Sequence, residues 1–230
     1  MKEKILLAII ATILSVSNVA FAQEATDATS ENPTWTLDVE SRYGIGGFAP
    51  LFGINVHEKW GAFVKMDLQH RSGFGIGGYR YEDFKQEGLG RTAFVDLYWA
   101  GKIAKNLSLY GAIEYTAFDN DKTMSFVAPY VMVSWENKVV NIYLTPIYCY
   151  YDKLGTDEFI LLLRVMKSPW KGGEVSFSGW YNNTLNKKLY GAIGINQKLL
   201  GGFSVRADWL FREGKAPLTG SVVYKITFKK

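Results

Sequence analysis

The chain has 230 residues, with 26 Lys and Arg against 22 Asp and Glu, a formal charge of +4 at pH 7 and a single cysteine, Cys149. A charge so near balance gives no footprint for nucleic acid, and a lone cysteine excludes an internal disulfide framework. Aromatic residues make up 15% of the chain, and glycine at 23 residues far outnumbers proline at 6, a composition suited to strands and turns.

In chain order, Lys2 and Lys4 precede an apolar run from Ile5 through Val16, and Ala20-Phe21-Ala22 supplies the small-x-small pattern that signal peptidase accepts. Residues 1–22 are therefore expected to be a removed export signal. Residues 23–32 are polar without any apolar period and read as a flexible periplasmic leader, which leaves 33–230 as the folded body. Without the signal, 24 basic and 21 acidic residues remain. No later stretch reaches the roughly 18 uninterrupted apolar residues of a membrane-crossing helix.

Short alternating segments follow. They predict strands at about 34–43, 50–57, 60–70, 91–100, 107–117, 123–135, 139–150, 157–167, 173–181, 188–196, 203–211 and 219–228. Trp35, Leu37 and Val39 oppose Thr36, Asp38 and Glu40; Ala62, Val64, Met66 and Leu68 oppose Lys65, Asp67 and Gln69. Successive strand side chains point to opposite faces, so each such segment has one apolar and one polar face. The last segment is the clearest case: Val222, Tyr224, Ile226 and Phe228 face one way, Ser221, Val223, Lys225 and Thr227 the other. The segments 123–135 and 157–167 are apolar on both faces and have no readable phase. Pro129 and Pro146 fall inside predicted strands, where each removes a ladder donor, so bulges or local breaks are expected there.

The connections alternate in length. Short ones are expected at His57-Glu58-Lys59, 101–106, 136–138, 168–173 and 197–202; longer ones at 44–50, 71–90, 118–122, 151–156, 181–188 and 212–218. Five short turns and six long loops join twelve antiparallel strands with both ends on one side. Export, alternation and this spacing together predict an all-β transmembrane barrel of the bacterial outer membrane, short turns in the periplasm and longer loops outside. Trp35, Trp60, Trp99, Trp135 and Trp170 would form the inner aromatic girdle, and Tyr43, Tyr115, Tyr148, Tyr181 and Phe211 the outer one.

On this register the lumen carries Asp38, Glu40, Asp67, Asp96, Glu114, Glu174 and Asp208 against Arg42, Lys65, Arg164, Arg206 and Lys225. Such a wall is either a web of paired charges in a filled interior or a pore lining with weak ion preference, since twelve strands lie between filled and open barrels. Tyr98, Tyr110, Tyr143 and Tyr190 also point inward, as filling or as a stacking track for sugars. Cys149 reads as a buried small side chain without chemistry. The strand count, short inner turns and closing strand ending in Phe228 resemble the small monomeric outer-membrane channels, such as the oligogalacturonate and sialic-acid porins. The resemblance spans the mature chain in architecture and implies passive uptake of small hydrophilic solutes. Those channels line the pore with rows of basic residues, whereas this chain supplies mixed charge. The partners expected are outer-membrane lipid, the assembly machinery that receives the closing strand, and a small solute.

One other pattern points to an enzyme. His70 and Ser72, at i and i+2, share a face that this register turns toward lipid, at the expected outer end of strand 60–70. The pair is similar to the His-x-Ser of outer-membrane phospholipases and lipid A deacylases, which implies an orienting acid, with Glu82, Asp83 and Glu87 available downstream; here Gly73 stands where those families have Asn. No nucleophile elbow, Walker loop or His-Glu-x-x-His pair occurs, and Asp119-Asn120-Asp121 lacks the downstream Glu of a calcium loop, so no cofactor or metal is expected.

Overall fold

The alternating segments do become strands, and the strands close on themselves. The computed structural model describes residues 34–45, 48–49, 54–55, 60–84, 91–119, 121–183, 189–211 and 218–230. The expected signal and leader lie outside these residues. The elements are β1 (Trp35–Ile45), β2 (Phe48–Ala49), β3 (Ile54–Asn55), β4 (Trp60–His70), β5 (Phe74–Asp83), β6 (Arg91–Ala104), β7 (Leu107–Phe118), a one-turn 3-10 helix (Lys122–Met124), β8 (Phe126–Glu136), β9 (Asn141–Tyr151), β10 (Thr156–Lys167), β11 (Gly173–Asn182), β12 (Leu189–Lys198), β13 (Phe203–Phe211) and β14 (Leu218–Lys229). Twelve of them form a closed antiparallel barrel in chain order, while β2 and β3 pair only with each other.

Closure is made by β1 and β14, paired without interruption from Thr36–Lys229 to Ile45–Gly220. Trp35 and Lys230 then exchange N–H to carbonyl bonds of 3.0 Å in both directions, so the two ends of the barrel sequence meet at one rim. We call that rim inner, because the short turns 71–73, 105–106, 137–140, 168–172 and 199–202 lie on it. The other rim joins β1 to β4, β5 to β6, β7 to β8, β9 to β10, β11 to β12 and β13 to β14.

Outward positions carry exposed apolar side chains, among them Val64, Met66, Leu97, Leu144, Leu163, Phe177, Ile195, Val205 and Val222. Inward positions are polar or buried. This is the inverse of a water-soluble protein and marks a wall that faces lipid. The phase of β8 and β10 is now set: Ala128, Tyr130 and Ser134, and Glu158, Ile160 and Leu162, point inward and are buried.

The strand count of twelve holds, but one strand was misplaced. Of the expected strand 50–57, the described residues 54–55 form β3, outside the barrel; the glycine-rich segment within the expected loop 71–90 supplies β5 instead. Its glycines hid the alternation, and they are needed where neighbouring side chains lie across the wall. A Cβ on Gly75 would meet the Tyr98 ring at 2.2 Å, and one on Gly77 would meet Asp96 Oδ1 at 2.4 Å. In consequence the short turn follows His70 rather than His57, which lies outside the described residues. Trp60 moves to the outer rim, paired with Ile45.

Pro129 and Pro146 sit within β8 and β9 without any shift of register. The β7–β8 ladder runs through Pro129 opposite Ile113, and the β9–β10 ladder through Pro146 opposite Leu161. Between β8 and β9, however, partners meet only at Val127–Tyr150, Tyr130–Ile147 and Val133–Leu144 before pairing resumes at Ser134–Tyr143. Both missing donors thus fall on one seam. The register shift on the β6–β7 ladder lies elsewhere, between Lys102 and Ala104.

The turn 71–73 closes through Gly73, whose φ is +91°, with its N–H donating to His70 O at 2.9 Å. A Cβ there would lie 2.3 Å from Ala100 O. Gly73→Ala is therefore expected to cost ~1–3 kcal/mol, seen as a lower urea midpoint of the refolded barrel in vesicles; an unchanged midpoint would contradict the strain.

Candidate functional site

The inside of the barrel gathers the charges that the strands present singly. All twelve residues expected in the lumen occupy inward positions, and the closed ladder sorts them into two groups. On β13, β14, β1 and the strands beside them, Arg206 chelates Asp208 through Nε at 3.0 and 2.9 Å and Nη2 at 2.7 Å, reaches Ser176 Oγ at 3.2 Å, and approaches Glu174 at 3.7 Å. Asp208 is fully buried. Room for this pair comes from Gly194, where a Cβ would fall 2.4 Å from both Arg206 Nη2 and Asp208 Oδ1. Arg42 Nε donates to Glu40 at 2.5 Å. Arg164 has no ion pair with a described residue; its guanidinium lies 4.6 Å over the Tyr143 ring, a cation–π contact.

The second group lies on β4, β6 and β7. Lys65 is 3.4 Å from Asp67, whose carboxylate accepts the Tyr98 hydroxyl. Tyr110 donates to Asp96 at 2.9 Å and Thr116 to Glu114 at 2.6 Å. Here carboxylates outnumber cations, and tyrosine and threonine hydroxyls supply the donors that cations do not. Lys225 joins the groups across the β1–β14 closure by an ion pair of 2.6 Å with Asp38.

A cavity of about 500 Å³ opens at the inner end of the lumen. Arg42, Arg164, Lys198, Arg206 and Lys225 line it with Glu40 and Glu174; Arg42, Arg206 and Lys225 are held by Glu40, Asp208 and Asp38, so Arg164 and Lys198 are the lining cations without an ion-pair partner among the described residues. This arrangement could not be read from a list of inward residues, because it depends on which strands become neighbours through closure.

Between these charges, β6 to β13 also present a continuous set of aromatic and aliphatic side chains to the interior. Tyr98, Tyr110 and Tyr130 stack in succession, with centroids 4.9 and 5.9 Å apart and planes within 20°. Trp180 and Tyr190 stack at 5.6 Å, and Ile147, Cys149, Leu162 and Leu210 pack beside them as buried side chains. The expectation that Tyr98, Tyr110, Tyr143 and Tyr190 point inward holds. Tyr130 and Trp180 were missed, the first because the phase of β8 was unreadable.

The His70–Ser72 pair forms, but at the inner rim rather than the outer. His70 Nδ1 lies 2.8 Å from Ser72 Oγ and accepts the Ser72 backbone N–H at 3.2 Å, while the ring stands 4.7 Å from that of Trp35. With two Ser72 donors aimed at one nitrogen, the imidazole closes its own turn. Glu82 is not an orienter for it: the residue opposite Glu82 is Ala62, eight residues up β4 from His70 and about 27 Å away at the strand rise. Glu82 pairs instead with Arg80 at 3.1 Å and Arg91 at 3.8 Å, and the neighbouring Asp83 shares that rim. Glu87 lies outside the described residues.

Trp99 also departs from the expected girdle. It occupies an outward position near the inner rim, yet is 1% exposed, folded down so that Nε1 donates to Ser72 O at 3.0 Å. Trp35, Trp135 and Trp170 remain as exposed tryptophans at that rim. Around them the rim is strongly basic. Arg71, Lys102, Lys105, Lys138 and Lys167 are exposed, as are Lys171, Lys198, Lys229 and Lys230, and none of these nine pairs with a described carboxylate. Glu136 is the acidic residue among the described strand ends and turns there. At the outer rim, Asp121 instead caps the 3-10 turn; the Thr123 side chain and backbone N–H hold its carboxyl below the usual range.

A closed twelve-strand antiparallel barrel with an apolar exterior and a charged lumen is the architecture of a bacterial outer-membrane β-barrel. The solved structures agree in fold: a KdgM porin superposes with a TM-score of 0.58 at 8% identity, over 85% of this chain and 99% of that one. A NanC porin gives 0.54 at 13% identity, over 84% and 99%. No protein-family model matches the chain, and no curated protein matches it in sequence.

Removing Arg206 leaves Asp208 charged and enclosed. Arg206→Met is expected to lower the unfolding free energy by ~3 kcal/mol, with Arg206→Met/Asp208→Leu recovering most of it, as measured by urea titration of the folded barrel; equal losses in both variants would contradict the pairing.

Proposed function

We propose that the chain is an exported bacterial outer-membrane channel for the passive passage of small hydrophilic solutes, with a preference for anions set at its inner end. The observation that carries this reading is the cavity inside a closed twelve-strand wall where Arg164 and Lys198 stand without an ion-pair partner among the described residues. Low-dielectric walls focus the field of such charges, so a small anion gains concentration there while a cation is repelled. Arg164 matters most to a passing anion, because its counter-charge among the described residues is a tyrosine face rather than a carboxylate.

The KdgM fold is also seen in a structure described as in complex with disordered oligogalacturonate, which supports a solute of the same hydrophilic kind for this chain. Tyr98, Tyr110 and Tyr130, stacked on one another, form a packed flank of the lumen on the side away from the arginines. On this reading residues 1–22 direct export and are removed, and β14, which ends in Phe228, is the strand offered to the assembly machinery.

Planar-bilayer recordings test the proposal. Wild-type protein is expected to give discrete conductance steps with a reversal potential that favours anions in a salt gradient, and Arg42→Gln/Arg164→Gln to move that potential toward cations. Reproducible absence of steps from correctly folded protein would establish a filled lumen instead.

A further inference from the structure

The lipid-facing wall is not uniformly convex. Near the inner rim a groove of about 680 Å³ crosses five adjacent strands, β1 and β4 to β7. Trp35, Leu68, Phe74, Ile76, Leu97 and Ile113 form its sides, and His70 and Ser72 stand at its edge. Its floor exists because Gly111 contributes no side chain and Trp99 lies flat.

Two glycines let the indole lie down. A Cβ on Gly73 would approach Trp99 Nε1 to 2.8 Å, and one on Gly101 would approach its Cζ2 to 2.5 Å. The hydrogen bond to Ser72 O then consumes the one polar group of the indole and leaves an apolar floor. A tryptophan at the membrane interface ordinarily stands outward to meet head groups. Here it is withdrawn, and space of hydrocarbon character takes its place.

The geometry points to a bound anionic phospholipid: one acyl chain in the groove, the phosphate against the basic inner rim. Arg71, exposed in the same three-residue turn as Ser72, marks the level of the head group. Apolar lining alone would give no preference, because surrounding lipid tails are as apolar as the groove. Shape must hold the chain, and charge must choose the lipid. Arg71, Lys102 and Lys105, at the inner ends of the groove's own strands, with Lys229 and Lys230 beside β1 across the closure, provide that choice, since basic residues near an anionic surface each attract it measurably. His70 Nε2, with no hydrogen-bond partner among the described residues, remains available to the ester or phosphate oxygens at the groove's edge. This site is independent of whether the lumen conducts.

Native mass spectrometry of the refolded full chain, released from micelles containing equimolar phosphatidylglycerol and phosphatidylcholine of identical chains, tests it. One phosphatidylglycerol is expected to be retained in preference, with Arg71→Gln reducing that preference about fivefold, the equivalent of ~1 kcal/mol per basic residue at an anionic surface. Gly111→Leu, which fills the groove, is expected to lose the retained lipid of either kind. Should a variant fold poorly, brominated-chain phosphatidylglycerol supplies a second reading: it is expected to quench a tryptophan component in the wild type that Trp99→Phe lacks. Equal retention of the two lipids, retention undiminished in Gly111→Leu, or quenching identical in Trp99→Phe would each overturn the proposal. Release of fatty acid by the wild type and not by Ser72→Ala would also overturn it, by showing a site that consumes lipid rather than holds it.

Discussion

Hydrocarbon offers a peptide group no hydrogen-bond partner, and an unsatisfied group there costs several kcal/mol. The whole molecule answers that condition. Every strand edge must be paired, so the last strand must return to the first, and the unbroken β1–β14 ladder from Thr36 to Ile45 is what turns a sheet into a tube. Once it is a tube, alternation acquires a meaning it lacks in a flat sheet. One set of side chains dissolves in lipid; the other has nowhere to go but a confined interior.

That confinement explains the arrangement of charge. An ionised group inside a narrow lumen is tolerated only when paired or hydrogen-bonded. Arg206 and Asp208 meet this by chelation, and Asp67 and Asp96 by tyrosine hydroxyls. Where ion pairing is incomplete, at Arg164, the guanidinium rests on the Tyr143 ring and lines the cavity at the inner end.

Much of this was legible in the residues alone. Val64, Met66, Val222 and Tyr224 fall on the apolar face by period-two alternation, and Tyr43 and Tyr181 in the outer girdle by their place at strand ends; all are exposed. What escaped was whatever required knowledge of neighbours across the wall. β5 reads as loop because Gly75, Gly77 and Gly78 interrupt its pattern, although Gly75 and Gly77 make room for Tyr98 and Asp96 of β6. That error carried His70 and Ser72 to the wrong rim and Trp60 with it. Trp99 was assigned to a girdle because periodicity sees which side a residue faces, not whether glycines nearby let it lie flat. The clustering of Arg42, Arg164 and Arg206 is likewise a product of closure, since their strands are far apart in the chain.

The placement of Pro129 and Pro146 has a mechanical meaning. Their ladders toward β7 and β10 are complete, while the seam between them is stitched only at every third residue. A cylinder whose staves are bonded evenly resists ovalisation equally in all directions; this one has a single compliant meridian. Distortion of the cross-section under bilayer pressure will concentrate along that line, on the side away from the unbroken β1–β14 closure.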